Sequence, residues 1–166
     1  MHDAVLLAEG IVKNLSARGK TIAAAESCTG GKAADLIISI SGASKVFWGS
    51  FVCYTEDAKV RMLEIPERLI GEYGAVSRET ALAMAEGALK KSGASWAFSV
   101  TGFADPPGRI WIAVAGSDGE AADGPHAEAR MFLFKGSRNE VREAAAIAAL
   151  DMISERINRT ETTLRA

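Results

Sequence analysis

The chain has 166 residues, of which 48% are hydrophobic and 24% are charged, and its formal net charge is -2. These values are typical of one globular domain that buries a core, and they exclude the strongly basic surface of many nucleic-acid-binding proteins. No apolar stretch is long enough to cross a bilayer, and the N-terminus lacks a signal-peptide pattern. The two cysteines and two histidines form no CxxC or HExxH motif, which argues against a disulfide framework and a metal site. We therefore expect a cytoplasmic protein without metal, cofactor, nucleic-acid or membrane partner, and a homo-oligomer is compatible with this composition.

The first half of the chain alternates between helical and extended patterns. Apolar residues at near-helical spacing predict a helix over 3–18, which Gly19 ends. A short apolar run predicts a buried strand over 21–25, and an aromatic and β-branched run predicts a second strand over 46–54. Helices are predicted over 30–40 and 56–63, and Pro66 opens either a turn or a further short helix.

The second half contains three predicted strands between two longer helices. Ser77 caps a predicted helix that runs to Lys91, and the capping-box pattern at Ser137 opens a last helix that reaches about Ile157. Strands are predicted over 96–100, 110–115 and 127–134, with loops over 102–108 and 120–126, a turn at 118–119 and a frayed tail over 158–166. Alternating strands and helices predict a single α/β domain over 1–166 with a largely parallel sheet, in which the short link between 115 and 127 makes one strand antiparallel.

The turn at 26–31, Glu-Ser-Cys-Thr-Gly-Gly, joins the first predicted strand to a helix. Such a turn places a nucleophile where free backbone N–H groups can stabilise a developing oxyanion. Ser27 is the first candidate nucleophile, although Ser27 or Thr29 could instead cap the helix. Cys28 is either a rival nucleophile or a small buried apolar side chain. The paired Gly30 and Gly31 would allow a ligand or another part of the backbone to come close.

A serine nucleophile needs a base, and neither histidine is well placed to be one. His2 is terminal and His126 falls in a predicted polar loop, which argues against a Ser-His-Asp triad. Lys59 follows the second predicted strand, and the turns after the first three strands would bring Ser27, Lys59 and Thr101 to one crevice. Burial could lower the pKa of the Lys59 amine enough for it to accept a proton, whereas the alternative is a solvated surface lysine.

Four residues at the ends of predicted elements are candidates for contacting a ligand. Tyr54 would carry its hydroxyl at the rim, and Thr101 and Gly102 end the third strand. Arg138 opens the last helix, where it could pair with a phosphate or a carboxylate or could simply be solvated.

Five segments occur together in an order and spacing that resemble a known family. They are AESCTGG at 25–31, YTEDAK at 54–59, GAVS at 74–77, VTG at 100–102 and GSRNEVR at 136–142. Through these segments the chain resembles the carboxy-terminal domain of CinA, the competence/damage-inducible protein, a unit also found as a stand-alone nicotinamide-mononucleotide amidohydrolase. The resemblance implies a three-layer α/β/α sandwich with a mixed, mostly parallel sheet.

The resemblance also implies a reaction in the pyridine nucleotide cycle of NAD metabolism. It implies hydrolysis of nicotinamide mononucleotide to nicotinate mononucleotide and ammonia, with no metal or cofactor. Ser27 would attack the carboxamide carbon, Lys59 would be the general base, and Tyr54 would position groups or relay the proton. The substrate-binding positions carried over are Glu26, Cys28, Thr29, Gly30, Gly31, Thr101, Gly102 and Arg138, with backbone N–H groups of the turn stabilising the oxyanion.

The loop after Thr101 departs from the family pattern. The family carries a longer glycine-rich loop there, whereas this chain runs through 102–109 into the next strand and has Asp105 where a glycine is usual. A carboxylate near a substrate phosphate repels it. Two alternatives therefore stand beside the amidohydrolase. One is a nucleotide-binding or partner-binding module without catalysis, and the other is a hydrolase for a related neutral or cationic amide.

Overall fold

The computed structural model describes residues 2–116 and 126–164, with side chains described for 4–116 and 126–158. The predicted turn at 118–119 and nearly all of the predicted loop at 120–126 lie outside these residues. In chain order the described elements are α1 (His2–Arg18), β1 (Ile22–Glu26), α2 (Lys32–Ile38), a 3-10 turn (Ala43–Lys45), β2 (Phe47–Val52), α3 (Glu56–Leu63), α4 (Glu67–Tyr73), α5 (Arg78–Ser92), β3 (Trp96–Gly102), β4 (Arg109–Gly116), β5 (His126–Leu133) and α6 (Arg138–Leu164).

The five strands form one sheet in the order β2-β1-β3-β4-β5. Strand β1 lies in the middle of a parallel trio and pairs with β2 on one side and β3 on the other. Strand β4 pairs antiparallel with both β3 and β5, so it alone runs opposite to the other four described strands. The expectation of a mostly parallel sheet with one antiparallel strand is confirmed.

Helices cover both faces of the sheet, which gives three layers. Alternation along β1 directs Ile22 and Ala24 towards the core shared with α1, α2 and α6, while Ala23 and Ala25 face the opposite core beneath α3, α4 and α5. The second face consists largely of alanines, which lets α5 pack close to the strands through its own small side chains. The buried alanines of this contact are Ala81, Ala85, Ala113 and Ala115.

Several element boundaries differ from those predicted. Helix α6 runs to Leu164 rather than ending near Ile157, because residues 158–164 contain neither proline nor glycine to interrupt it. Pro66 is the N-cap of a short helix, α4, which resolves the choice between a turn and a helix. Residue His126 begins strand β5 instead of lying in a loop, because β4 continues far enough to pair with it.

The carboxyl ends of β1, β2 and β3 meet at one edge of the sheet. The pairing continues past two of these ends, since Cys53 N donates to Glu26 O at 2.8 Å and Ser27 N donates to Val100 O at 2.9 Å. This places the turn at 27–31, the segment after β2 and the β3–β4 hairpin beside one another. Among the described helices, none has the length and apolarity needed to cross a membrane.

Candidate active site

Ser27 and Lys59 are in direct contact at this edge. Lys59 Nζ donates to Ser27 Oγ at 3.0 Å and to the carbonyl oxygen of Cys53 at 3.1 Å. The alternation of β1 explains the direction of Ser27: Glu26 points towards α2, so the next residue points towards α3. Lys59 lies in the first turn of α3, whose N-terminus is capped by Thr55 Oγ1 accepting from Ala58 N at 3.1 Å.

Burial favours the neutral form of the Lys59 amine. The residue is 2% exposed, which contradicts the alternative of a solvated surface lysine. Burial lowers the pKa of the Lys59 amine from its ordinary value of 10.5, because the charged form loses hydration. The lowered pKa makes the neutral amine, which can accept a proton from Ser27, more accessible near neutral pH.

Glu26 holds the turn that carries Ser27. Its fully buried carboxylate accepts hydrogen bonds from the backbone N–H groups of Gly31, Ala33 and Ala34 at 3.0–3.1 Å, and from Ser50 Oγ at 3.1 Å. The alternative in which Ser27 or Thr29 caps α2 is therefore wrong: the N-cap position is Gly31, and the strand residue Glu26 satisfies the helix N–H groups. Glu26 contacts the turn from within the core.

Cys28 has the environment of a structural thiol. It is 4% exposed, and burial raises the pKa of its thiol to about 11, so the nucleophilic thiolate is scarce at neutral pH. Cys28 and Cys53 are both free and buried. Within the ranges that the structure describes, no group of three or more His, Cys, Asp or Glu residues could hold a metal ion.

Arg142 secures the turn from α6; it ends the GSRNEVR segment at 136–142, but no role is predicted for it from the sequence. Its Nε donates to Cys28 O at 2.9 Å and its Nη2 donates to Thr29 O at 3.2 Å. Gly30 has φ +61, and a Cβ on it would lie 3.1 Å from Arg142 Nη2. The positive φ favours glycine at Gly30, where a Cβ would also press on the guanidinium, and Gly31 likewise adopts a positive φ of +95. The group that comes close to Gly30 is thus the Arg142 guanidinium, a side chain, and not the ligand or backbone segment predicted from the sequence.

Most backbone N–H groups of the turn are already bonded. Ser27 N donates to Val100 O, Gly30 N donates to Ser27 O, and Gly31 N donates to Glu26. The N–H groups of Cys28 and Thr29 have no backbone carbonyl or carboxylate acceptor among the described residues. Both N–H groups lie beside the Cys28 sulfur: burial raises the pKa of this thiol, and their hydrogen bonds lower it by less, so an oxyanion would have to take these two donors from the sulfur. The Thr29 hydroxyl is also buried and has no hydrogen-bond partner within the described part of the chain.

A second cluster, the anion rim, consists of Tyr54, Asp105 and Arg138. Arg138 Nη2 donates to the Tyr54 hydroxyl at 3.0 Å and Arg138 Nη1 donates to Asp105 Oδ2 at 2.8 Å. The Asp105 carboxylate and the Tyr54 hydrogen bond raise the pKa of Arg138, which stays a cation. Tyr54 makes no hydrogen bond to Ser27 or Lys59 in the described structure, so its contacts favour the positioning role over the proton relay.

Thr101 and Gly102 lie beside the turn but are engaged with neighbouring backbone. The Thr101 hydroxyl is buried and donates to Ala75 O at 2.8 Å, which ties the loop before α5 to β3. A Cβ on Gly102 would lie 2.6 Å from Arg109 O, so glycine allows β3 and β4 to approach closely in the short hairpin. Thr101 thus acts through its side-chain hydroxyl and Gly102 through its lack of a side chain.

Comparison with known proteins places the whole described domain in one family. The CinA C-terminal domain family model matches residues 5–157. A CinA-like protein of Desulfotalea psychrophila is 41% identical over 153 residues, which cover 92% of this chain and 37% of that protein. A CinA-like protein of Anaeromyxobacter sp. (strain K) is 40% identical over 155 residues, which cover 89% of this chain and 36% of that protein. The chain thus spans a little over a third of the length of these relatives.

Solved structures agree with this assignment. The competence/damage inducible protein of Agrobacterium tumefaciens has a TM-score of 0.82 and 36% identity, covering 94% of this chain and 96% of its own. The competence damage-inducible protein A of Klebsiella pneumoniae has a TM-score of 0.86 and 26% identity, covering 93% of this chain and 97% of its own. The predicted α/β class with a mixed sheet is confirmed. On the family match and the sequence identity together, this chain belongs to the CinA C-terminal domain family.

Proposed function

We propose that this chain is a serine–lysine amidohydrolase that converts nicotinamide mononucleotide to nicotinate mononucleotide and ammonia. The observation that carries the proposal is the 3.0 Å contact between Lys59 Nζ and Ser27 Oγ, made by a lysine that is 2% exposed. A buried amine with a lowered pKa beside a serine hydroxyl is an arrangement that can activate a nucleophile without histidine. The choice of substrate rests on the family resemblance.

The first half of the proposed reaction forms an acyl-enzyme. The neutral Lys59 amine takes the Ser27 proton while Ser27 Oγ bonds to the carboxamide carbon, and the carbonyl π electrons move to oxygen. The N–H groups of Cys28 and Thr29 would donate to this oxyanion. The Lys59 ammonium then returns its proton to the leaving nitrogen, the C–N bond breaks, and ammonia departs.

The second half hydrolyses the ester. Lys59, neutral again, takes a proton from a water whose oxygen attacks the acyl carbon. Collapse of the second tetrahedral intermediate breaks the bond to Ser27 Oγ, which regains a proton from Lys59. The product leaves as the carboxylic acid and gives its proton to solvent to become the carboxylate, and the enzyme returns to its starting protonation state. The Arg138 guanidinium would bind the substrate phosphate, with Tyr54 holding it in place.

Ammonia release from nicotinamide mononucleotide tests this proposal. We expect the purified chain to release ammonia. Ser27→Ala should release ammonia about a thousandfold more slowly, and the control Ser39→Ala should release it at the wild-type rate. Ser39 is an exposed serine at the end of α2, and its hydroxyl donates to Leu36 O within its own helix turn. Absence of ammonia from the wild type, or equal rates for wild type and Ser27→Ala, would refute the mechanism.

Calorimetry together with the ammonia assay distinguishes the amidohydrolase from a binding module. Two observations motivate this alternative: the loop after Thr101 is short, and the Arg138 guanidinium already binds Asp105. A family member without catalytic activity could still bind a nucleotide. Calorimetric binding of nicotinamide mononucleotide without product formation would support the binding module and would remove the amidohydrolase.

A further inference from the structure

Asp105 forms an ion pair with the guanidinium of Arg138, the group that would bind the substrate phosphate in the proposed function. Arg138 Nη1 donates to Asp105 Oδ2 at 2.8 Å, while Nη2 of the same group donates to Tyr54. The Arg138 side chain is 45% exposed and that of Asp105 is 73% exposed. A ligand can therefore reach this ion pair from solvent.

The anion rim lies next to the nucleophile turn. Arg138 precedes Arg142 by four residues on α6, which places the two side chains on one face of the helix, with Cβ atoms about 6 Å apart. Arg142 itself bonds to the carbonyl oxygens of Cys28 and Thr29. A ligand that presents its amide to Ser27 would thus extend towards Arg138.

The hairpin between β3 and β4 fixes where Asp105 stands. Gly108 N donates to Asp105 O at 2.9 Å, and Phe103 N donates to Arg109 O at 2.9 Å, so the connection is a closed turn. A Cβ on Gly108 would lie 2.4 Å from Phe134 O, and Ala104 is buried beside it. Asp105 is consequently held at the tip of a packed turn, with its carboxylate on Arg138.

We propose that Asp105 is an internal competitor for the anion-binding face of Arg138, and that it sets how strongly the site prefers phosphorylated over unphosphorylated pyridine amides. This inference rests on the proposed function. A phosphate monoester and a carboxylate both accept hydrogen bonds from the guanidinium fork, so they compete for the same donors. After displacement, the Asp105 charge remains near the phosphate and repels it.

The competition is weak enough for a phosphate to win. Exposed ion pairs contribute little stability, so opening this pair reduces phosphate affinity by only about fivefold. A phosphate-free amide such as nicotinamide riboside does not need to displace Asp105. The site therefore accepts both substrate classes and discriminates between them less than a site with a free guanidinium.

Calorimetric binding measures this effect without catalysis. In the full chain carrying Ser27→Ala, we expect Asp105→Asn to tighten binding of nicotinamide mononucleotide about fivefold at low salt, with a smaller gain at high salt. Adding Arg138→Gln should cancel the gain, because the competitor and the phosphate share that side chain. The control is Asp151→Asn, an equal charge change on an exposed residue about 20 Å further along α6.

Steady-state kinetics provide a second test of this proposal. With Ser27 intact, Asp105→Asn should raise the ratio of kcat/KM for nicotinamide mononucleotide to that for nicotinamide riboside by about fivefold, and Asp151→Asn should not. Unchanged affinity and ratio in an enzyme that releases ammonia would overturn the competitor and leave the proposed function standing. An affinity gain that survives Arg138→Gln would also overturn it. Tighter binding in Asp105→Asn without any ammonia release would support the competitor and refute the amidohydrolase.

Discussion

Arg142 donates from Nε to the carbonyl oxygen of Cys28 at 2.9 Å, although the two residues are 114 positions apart in the chain. This bond joins the last helix to the turn that carries the proposed nucleophile. A second bond, from Arg142 Nη2 to Thr29 O, binds the next carbonyl oxygen of the turn. Because a peptide plane is rigid, fixing these two carbonyls also fixes the direction of the N–H groups of Thr29 and Gly30, of which the Thr29 N–H is a proposed oxyanion donor.

We predict that Arg142→Ala lowers kcat by about tenfold or more and changes KM less, because misdirected N–H groups stabilise the oxyanion poorly. Arg142→Lys should recover part of the loss, since a single ammonium can reach one of the two carbonyls. Steady-state kinetics on nicotinamide mononucleotide provide the measurement. Arg61→Ala, which removes an exposed arginine, is the control for loss of a charge. A rise in KM alone would show that Arg142 acts on substrate binding instead.

Lys59 should make the reaction depend on pH in one direction. Only the neutral amine accepts the Ser27 proton, so kcat/KM should rise with pH through the pKa of Lys59, which burial places below 10.5. Lys59→Met should lower kcat by about a thousandfold and remove this rise. A rate profile that stays the same in Lys59→Met would exclude lysine as the base.

The same group should make folding stability depend on pH. The unfolded chain keeps the ordinary pKa of 10.5 and the folded chain has a lower one, so the unfolded state binds more protons between the two values. The free energy of unfolding should therefore rise with pH across this window; the contribution is complete above 10.5 and is lost as pH falls through the folded pKa. Denaturant unfolding at several pH values checks this, and Lys59→Met should flatten the slope.

Local patterns were enough to predict much of the fold and one essential contact. The order of strands and helices, the antiparallel strand and the Ser77 cap all follow from periodicity, link length and capping residues, which act over a few neighbours. The meeting of Ser27 and Lys59 was predictable because carboxyl ends of neighbouring parallel strands share one edge.

The contacts that support this pair were not predictable in the same way. Glu26 caps α2 from the end of a strand, outside the position where capping residues are sought. Arg142 and the Asp105–Arg138 pair join elements far apart in sequence, and their contacts depend on how α6 packs across the sheet. Such contacts arise from tertiary packing, for which the spacing of residues along one chain carries no direct signal.

Glu26 should be one of the most sensitive positions for stability. We predict that Glu26→Gln lowers the free energy of unfolding by about 3 kcal/mol, because its amide nitrogen cannot accept from buried N–H groups that Glu26 now satisfies. The exposed residue Glu9 offers the control Glu9→Gln, which should change stability by less than about 0.5 kcal/mol. Equal unfolding curves for the two variants would show that the carboxylate does not hold the turn.

Replacing Cys28 with alanine should leave activity nearly unchanged, whereas replacing Ser27 with alanine should abolish most of it. Cys28→Ala should keep kcat within about threefold, since the thiol pKa of about 11 leaves little thiolate to act as a nucleophile. Iodoacetamide should also leave the rate of the folded wild type largely unchanged over a short incubation. If Cys28→Ala lost as much activity as Ser27→Ala in a folded protein, the assignment of the nucleophile would pass to the thiol.

Thr29 should show a conflict between stability and activity. Its buried hydroxyl has no hydrogen-bond partner among the described residues, and leaving such a group unpaired costs about 1–3 kcal/mol. Thr29→Val keeps the shape and removes the hydroxyl, so we predict a gain of about 1 kcal/mol in the free energy of unfolding. If the hydroxyl contacts the substrate, as the family resemblance implies, kcat/KM should fall in the same variant. Thr29→Ser, which keeps the hydroxyl, should retain more activity than Thr29→Val. If Thr29→Val were more stable and fully active, the unpaired hydroxyl would have no part in the reaction. The unfolding measurement reports what the hydroxyl costs in stability, and the kinetic measurement reports what it contributes to catalysis.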